Sequence, residues 1–270
     1  VKGAAGTAHE SIGVGLKGLV GDRRWMIVDS GGRFVSQREI ASLARLAVRA
    51  EPDGIALGIP GRAEMFVARP NGHDRLPVSI WRDDVDAAVV EGEADAALSD
   101  FLGQPVRLVH FDDRASRHVS RDWIDREAPV AFADGYPILV TSTASLDELN
   151  ARLAATGAEP VAMDRFRPNV VIEDAEPFAE DGWATIEVAG IVLDLVKPCA
   201  RCVVTTIDQA SGEKTGKEPL ATLARFHRSG DSRAPGALFG WNAVPRGPGH
   251  LAVGQDVTLR AHRDPPWPIA

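Results

Sequence analysis

The sequence predicts a mainly β protein, a β-barrel or sandwich with a few helices, on two observations. Short runs rich in β-branched and aromatic residues recur along the chain, bounded by Gly, Pro and Asp turn signals. Few segments carry apolar residues at helical spacing, so the regular strand–helix alternation of parallel sheets is missing. The 270 residues, 44% of them hydrophobic, suffice for one large or two modest domains. We expect a soft boundary between about residues 105 and 130.

The first third of the chain is predicted to be rich in hairpins. WMIVD (25–29) and RFVSQ (33–37) flank a Ser-Gly-Gly turn, which is a hairpin signal. LAVRA (46–50) and GIALGI (54–59) flank a second turn that contains Pro-Asp-Gly. Apolar residues at helical spacing, followed by a Gly, predict a short helix over 94–103.

The rest of the chain is predicted to alternate strands with two helices. RLVHF (107–111) predicts a strand, and the charged stretch 112–129 an irregular excursion. The clearest helix covers 145–156, with Ser145 and Glu148 as a capping box and a Gly at its end. A second helix is predicted from Pro219, a favoured first-turn residue. Further strands are predicted at 169–173, 183–190, 191–196, 203–207 and 257–260.

Composition excludes several classes of protein. A net charge of −8 argues against a general nucleic-acid binder, whose surface is basic. No run approaches the roughly 20 apolar residues of a membrane span. The first residues show no apolar secretory segment, and two cysteines cannot build a disulfide framework. We therefore expect a cytoplasmic protein without a membrane span.

Familiar catalytic and cofactor motifs are mostly absent. GVGLKG (13–18) has dinucleotide-site spacing but precedes a strand instead of opening a helix, so we interpret it as a loop. The sequence has no Gly-x-Ser-x-Gly elbow, no His-Glu-x-x-His helix and no evident glycosidase pair of carboxylates. The seven histidines are scattered singly and are expected on the surface.

Both cysteines lie in one turn, Cys199-Ala200-Arg201-Cys202. A thioredoxin-like redox pair needs a helix after the first Cys, but β-branched residues follow here. A structural zinc site needs four ligands, and no second pair exists. Two interpretations stay open at this point: a pair of inert buried thiols, or a functional thiolate favoured by the adjacent Arg201.

Basic residues cluster at three other points of the chain. Arg23 and Arg24 precede one strand, Arg165 and Arg167 precede another, and Lys2 stands near the start. Each could simply face solvent or pair with a carboxylate. If they converged on a thiolate, the set would suit a ligand that carries both a phosphate and a soft metal.

Ordered motifs along nearly the whole chain resemble the MOSC family, in the branch of the mitochondrial amidoxime-reducing component and its bacterial relatives. The resemblance rests on VKG, GDRRWMIVDSGG, SQRE, RLVHF, DGYPILVTSTASLDELN, RFRPNVVI, KPCARCVVTTIDQASG, KEPLATLARF, LFGWN and LAVGQDV, in that order. It implies an N-terminal MOSC-type β-barrel module over residues 1–108 and a MOSC β-barrel domain over 109–264.

The resemblance also implies a molybdenum–molybdopterin cofactor with Cys202 as the catalytic metal ligand, while Cys199 is expected to pack. Asn242 would lie near the open metal face. The pterin and its phosphate would be held by Lys2, Arg23, Arg24, Asp134, Gly135, Tyr136, Arg167, Asn169 and Arg201. The chain departs from the family at Gly3, where a Ser is usual, and at Gly135-Tyr136, where small hydroxyl residues are common. Pyridoxal phosphate, also associated with the family, is not expected here.

The activity implied is the two-electron reduction of small N-hydroxylated compounds: amidoximes, hydroxylamines and N-hydroxylated base analogues. A separate ferredoxin-, flavin- or cytochrome b5-type protein would supply the electrons. The alternative is a module that binds, carries or sulfurates the molybdenum cofactor without reductase turnover. A third interpretation is an interaction protein without any metal.

Overall fold

The computed structural model describes residues 1–270 and confirms a mainly β protein with sixteen strands and three α-helices. Four short 3-10 helices join these elements, at Ala41–Arg45, Met163–Phe166, Ala179–Gly182 and Val203–Thr206. No helix has both the length and the apolar character needed to cross a bilayer.

The N-terminal half consists of small antiparallel sheets around one helix. Its elements are β1 (Ser11–Gly15), β2 (Gly18–Leu19), β3 (Trp25–Asp29), β4 (Ala47–Glu51), β5 (Gly54–Gly58), β6 (Met65–Ala68), β7 (Arg75–Ile80), β8 (Asp83–Val89), α1 (Ala94–Leu102) and β9 (Val106–His110). One sheet has the order β3-β9-β8-β7 and another β4-β5-β6. Helix α1 packs its Leu98 into the core between them and ends at Gly103, whose φ of 71° suits a helix terminus.

The C-terminal half is built on a six-stranded sheet of order β11-β10-β14-β13-β12-β16. Its elements are β10 (Ile138–Ser142), α2 (Thr143–Ala155), β11 (Val170–Ile172), β12 (Trp183–Val188), β13 (Ile191–Ala200), α3 (Leu220–Phe226), β14 (Leu238–Pro245), β15 (Gly249–Ala252) and β16 (Val257–His262). Gly240 in β14 has a φ of 75°, and a β-carbon there would lie 2.6 Å from the Val140 carbonyl oxygen. The close approach of β10 to β14 therefore requires a glycine.

The two halves exchange segments. Strand β1 pairs with β15, and Val14 lies in the core of the C-terminal sheet. In the other direction, Phe132 packs edge-on against Phe111 in an N-terminal core, with ring centroids 5.2 Å apart. The domain boundary at residue 108 stays a prediction. In space, each half includes a segment that lies on the other side of that boundary in the sequence.

At three places the secondary structure differs from the one predicted. Residues 33–37 form no strand. The turn before them is present, and the Val35 N–H donates to the Ile27 carbonyl oxygen at 2.9 Å, but pairing is limited to isolated bridges of Phe34 with Val28 and of Arg33 with Ser79. GVGLKG is not a loop, since it contains most of β1 and the start of β2. The predicted strand 203–207 is the 3-10 helix Val203–Thr206.

The start of helix α2 also differs from the prediction. The N-cap is Ser142, whose hydroxyl accepts a hydrogen bond from the Ser145 backbone N–H at 3.2 Å. Glu148, expected to complete a capping box, pairs with Arg152 at 2.7 Å along the helix surface. The cap therefore lies three residues before the predicted one, and the helix begins at Thr143 instead of residue 145.

Two histidines expected on the surface are buried. His110 packs against Trp25 with ring centroids 4.7 Å apart, and burial lowers its pKa to about 4. His227 is enclosed by Asp181, Leu238 and Phe178. The first is therefore neutral near pH 7, whereas the surroundings of the second favour its charged form.

Candidate functional site

A cavity of about 520 Å³ lies between the two halves, within the size range of small-molecule sites. The N-terminal half contributes Lys2, Gly3, Arg23, the segment 34–38 and Trp81. The C-terminal half contributes the loop before β10, the turn before β11, the end of β13 and Asn242 in β14. Residues more than 200 positions apart in sequence therefore share one wall.

The cavity is strongly cationic in a protein that is acidic as a whole. Only one acidic residue, Asp134, lines it, against six basic residues, which gives a formal balance of +5 where the chain carries −8. The six are Lys2, Arg23, Arg38, Arg167, Lys197 and Arg201. Walls of one sign around a low-dielectric space concentrate the field, so this cavity attracts anions.

Arg23 is held by the loop that enters β3. Its φ of 47° aims the side chain toward the C-terminal half, where its Nη2 donates to the Arg167 carbonyl oxygen at 3.3 Å. Its Nη1 donates to Asp22. Burial alone would lower the pKa of Arg23, but Asp22 and Asp134 outweigh it and the pKa lies above its ordinary value. Arg23 is therefore a fixed, permanent positive charge.

Arg167 ends the 3-10 helix Met163–Phe166 in the left-handed region, with a φ of 55°. Its Nη2 donates to the Ala4 carbonyl oxygen at 2.6 Å and its Nη1 to Gln209 at 3.1 Å. Burial and the charges of Arg23 and Arg201 lower the pKa of Arg167 to about 10. The guanidinium has neutral acceptors but no carboxylate partner. A bound anion would therefore offset both the cost of burying its charge and its repulsion from Arg23 and Arg201.

Lys2 and Asp134 form an ion pair in the cavity wall. The indole Nε1 of Trp81 donates to the same Asp134 oxygen at 3.3 Å. Burial lowers the pKa of Lys2 below its ordinary value. The charges of Lys2 and Arg23 hold the pKa of Asp134 well below its ordinary range. The one carboxylate of the lining is therefore ionised and paired with Lys2, and it forms no ion pair with Arg167 or Arg201.

Asn169 links the two arginine loops. Its Nδ2 donates to Asp22 at 2.8 Å, and its Oδ1 accepts from the Leu139 backbone N–H at 3.0 Å. Both ends of the amide are used within the protein. Asn169 therefore lines the cavity chiefly as a support for the Asp22–Arg23 pair.

Both thiols belong to the end of β13 and the turn that follows it. Both are half-buried, unpaired in a disulfide and part of the cavity lining. Cys202 precedes the 3-10 helix, and its carbonyl oxygen accepts from the Thr205 backbone N–H at 3.1 Å. The Sγ of Cys199 accepts from Arg201 Nη1 at 2.8 Å. Cys199, expected to be a packing residue, is therefore in contact with a cavity cation.

Arg201 carries the clearest sign of a missing partner. Its Nη2 donates to the Phe166 carbonyl oxygen at 2.7 Å, whereas its Nε is buried without any hydrogen-bond partner. Buried donors of this kind are normally satisfied, so an unpaired one in a cavity wall indicates a ligand position.

Of the remaining predicted residues, three line the cavity and one, Arg24, does not. Gly135, Tyr136 and Asn242 line it. Burial raises the pKa of the Tyr136 phenol, which stays protonated, and Asn242 Nδ2 donates to the Lys197 carbonyl oxygen at 3.2 Å. Arg24 does not line it, because its Nε is turned away and donates to the Phe111 carbonyl oxygen at 2.7 Å. The structure does not bring Arg24 to the site predicted for it.

Among the lining residues that were not predicted from the sequence, Arg38 and Lys197 add positive charge and Trp81 adds an exposed aromatic ring. Arg38 and Lys197 belong to SQRE and KPCARC, two of the motifs that carry the family resemblance, so the sequence could have placed them near the site. Trp81 stands in a hairpin turn outside every motif, and only the fold brings it to the cavity.

The site offers an anionic ligand several guanidinium groups and a soft metal one or two thiols. No group of three or more His, Cys, Asp or Glu residues is arranged to hold a metal ion. A metal here would therefore share a thiol with ligands of its own, such as the sulfurs of an organic cofactor. The unpaired Arg201 Nε, the excess of cations and the thiols together fit a phosphate-bearing metal cofactor.

The fold and this site define a two-part β protein of the MOSC class. The MOSC N-terminal beta barrel domain model matches residues 1–105, and the MOSC domain model matches 127–258. Mitochondrial amidoxime-reducing component 1 from Homo sapiens is 31% identical over 96% of this chain and 79% of its own length. The Danio rerio protein of the same name is 30% identical, over 93% and 78%.

The chain belongs to the MOSC family, in the branch of the mitochondrial amidoxime-reducing components. A molybdenum cofactor sulfurase from Oryza sativa subsp. japonica is also similar, with 25% identity over 94% of this chain. The match covers 33% of that longer protein. Of these relatives, the sulfurase is the one named for the molybdenum cofactor.

Proposed function

We propose that the chain binds one molybdenum–molybdopterin cofactor in the cavity between its halves and reduces N-hydroxylated compounds. One observation carries the proposal: the Cys202 thiol shares its cavity with six basic side chains and one carboxylate that is already paired. The similarity to amidoxime-reducing components supports the same activity.

The residues of the cavity divide the work of holding such a cofactor. Arg167 and Arg201, which lack a carboxylate partner, would bind the anionic tail with charge-assisted hydrogen bonds. Arg23 and Lys2, fixed by their own ion pairs, would add positive potential around it. The Cys202 sulfur would ligate the metal, because a thiolate suits a soft site. The bound cofactor would supply the two-electron redox chemistry.

The chain's own groups would orient the substrate. Reduction of an N–OH group consumes two electrons and two protons, breaks the N–O bond and leaves an N–H group and water. Tyr136, whose phenol stays protonated because burial raises its pKa, would donate a hydrogen bond to the substrate, while the protons would come from solvent in the cavity. The Asn242 amide is anchored through its Nδ2, which leaves its Oδ1 to orient a substrate N–H.

Electrons would come from a separate protein. These 270 residues contain two cysteines, fewer than the four ligands of a common iron–sulfur cluster. A ferredoxin-, flavin- or cytochrome b5-type donor is therefore part of the proposal. We also keep the sequence-based expectation of a cytoplasmic location.

A second candidate function is cofactor binding or sulfuration without reductase turnover. The similarity to a molybdenum cofactor sulfurase over 94% of this chain favours it. The cavity chemistry would be the same, since both functions require a thiol and an anion-binding wall.

The test is a turnover assay on protein produced in a host that makes molybdopterin. We expect about one molybdenum per chain and reduction of benzamidoxime to benzamidine with reduced methyl viologen as electron source. Molybdenum-loaded protein that reduces neither benzamidoxime nor a hydroxylamine would favour the carrier. Protein without molybdenum would contradict both functions and favour the third interpretation, an interaction protein without a metal.

A further inference from the structure

Trp81 occupies a turn position that normally requires glycine. It is the first residue of the two-residue turn between Ile80 and Asp83, which are the paired ends of β7 and β8. Its φ is 58°, whereas Arg82 has no positive φ, so the turn is of the type that places Gly first. A bulky residue in this region is strained, and such strain concentrates at functional positions.

The Trp81 side chain is held in place at the cavity although 44% of it is exposed. Its Nε1 donates to Asp134 at 3.3 Å, and Phe34 contacts it edge-on with ring centroids 4.7 Å apart. The indole is therefore anchored at its polar atom and against Phe34, with Lys2 Nζ 6.0 Å from the ring centre, while part of its surface stays open.

Arg38 accompanies Trp81 and has no other strong partner. Its guanidinium carbon lies 4.5 Å from the centre of the indole. The acidic residue next to it in sequence, Glu39, pairs with Arg33 at 2.6 Å, and Arg38 takes part in no ion pair. An exposed Arg that lies over an exposed Trp places two flat groups at the same cavity.

We propose that the Trp81–Arg38 pair is a substrate-selecting surface, on which the planar ring of an aromatic N-hydroxylated compound packs while its N–OH group points toward the thiols. This inference rests on the proposed function and deepens it. It assigns aryl amidoximes and N-hydroxylated heteroaromatic bases as better substrates than their alkyl counterparts. Indole and guanidinium planes both stack on π systems, and neither interaction is open to a methyl group.

The magnitude follows from measured aromatic pairs. A well-placed pair contributes enough to change binding by about threefold to tenfold beyond the area that it buries. We therefore expect wild-type protein to prefer benzamidoxime to acetamidoxime in kcat/KM, and removal of the indole to reduce that preference by about threefold to tenfold.

The experiment compares Trp81→Leu, Trp81→Phe and Arg82→Ala in molybdenum-loaded protein. The Leu variant should lose the preference, the Phe variant should recover part of it, and the Arg82→Ala control, altered at the adjacent exposed position, should keep it. Calorimetric titration of the oxidised protein with both amidoximes gives a second readout, because binding without electrons needs no turnover.

Each outcome has one meaning. A Leu variant with an unchanged benzamidoxime-to-acetamidoxime ratio in both readouts overturns the proposal. A Leu variant that loses its molybdenum and pterin also overturns it, since the indole would then serve the cofactor. Wild-type protein that binds benzamidoxime more tightly through Trp81 but shows no turnover supports the ring-binding surface while the reductase function fails.

Discussion

At the scale of single residues, the cavity concentrates uncompensated positive charge next to a thiol. Arg167 keeps a pKa of about 10, so it is protonated at neutral pH despite burial and two neighbouring arginines. Retaining such a charge without a carboxylate costs free energy, which a bound anion would return. The arrangement is therefore better suited to a loaded site than to an empty one.

The two cysteines should respond differently to substitution. We predict that Cys202→Ser loses molybdenum and benzamidoxime reduction, because serine oxygen is a harder ligand than a thiolate. Cys199→Ser should retain both, since its contact is with Arg201, at 2.8 Å, and a hydroxyl can accept that bond. Metal analysis and turnover on the matched pair provide the measurement. Equal losses would revive the redox pair.

Arg167 should be needed to retain the cofactor. Arg167→Ala removes charge-assisted hydrogen bonds worth about 1.5–3 kcal/mol, so we expect roughly 10- to 100-fold weaker retention. Molybdenum remaining after extended dialysis measures this. Arg24→Ala is the control, because its guanidinium faces Phe111 outside the cavity. Full occupancy in Arg167→Ala would show that the anion lies elsewhere.

Much of the site could be predicted because its residues stand in recognisable motifs. Lys2, Arg23, Arg167 and the cysteine turn all line one cavity, although their roles stay predictions. Arg24 could not be separated from Arg23 by sequence, since both precede the same strand and only the structure shows that Arg23 contacts the Arg167 carbonyl oxygen and Arg24 the Phe111 carbonyl oxygen.

At the scale of elements, side-chain hydroxyls override backbone propensity. The run at 203–207 reads as a strand because Val and Thr favour extended backbone. In the structure, Thr205 Oγ1 donates to the Cys202 carbonyl oxygen at 3.0 Å and Thr206 Oγ1 to the Val203 carbonyl oxygen at 2.8 Å. These local bonds stabilise a tight turn instead. Propensity alone does not reveal such competition, whereas periodic segments such as 94–103 were predicted correctly.

The position of the α2 N-cap at Ser142 predicts how substitutions there change the stability of the protein. Ser142→Ala should lower the free energy of unfolding by about 0.5–2 kcal/mol or more, because Ser142 also donates to the buried Glu180 at 3.2 Å. Glu148→Ala should cost under about 0.5 kcal/mol, since it removes only a surface pair. Urea unfolding of the two variants provides the test. The reverse order would restore the capping box at Ser145.

A buried network beside β14 should make stability depend on pH. His227 Nδ1 faces the Leu238 carbonyl oxygen at 3.0 Å and its Nε2 faces Asp181 at 2.8 Å, while Asp181 also accepts from Trp241 Nε1 at 2.8 Å. A carbonyl oxygen and a carboxylate both accept hydrogen bonds, so these two contacts favour the imidazolium form of His227. Burial alone would lower the pKa of His227, but Asp181, Leu238 and Glu180 outweigh it and the pKa is raised.

Because the folded state binds this proton more tightly, its contribution is complete below the ordinary histidine pKa of about 6.5 and is lost as pH rises through the raised value. We predict that the difference in unfolding free energy between wild type and His227→Gln narrows as pH rises above 6.5. Urea titrations from pH 6 to pH 9 measure it. A difference that widens with pH would mean that His227 is neutral.

At the scale of the whole molecule, the site exists only where the two halves meet. Gln37 and Gln209 exchange amide hydrogen bonds of 3.1 and 3.2 Å across the boundary, and Gln209 also accepts from Arg167. Together with the β1–β15 pairing, this contact fixes the N-terminal cations against the C-terminal thiols. A mainly β fold could be predicted from the sequence, but this interlocking depends on long-range pairing and could not.

The central claim is that this shared cavity holds a molybdenum cofactor. Its most direct test measures molybdenum and released pterin together, on protein purified from a molybdopterin-competent host. We predict about one molybdenum and one pterin per wild-type chain, and neither in Cys202→Ser combined with Arg167→Ala. Wild-type protein without molybdenum and pterin, or a double variant as fully loaded as wild type, would contradict the account.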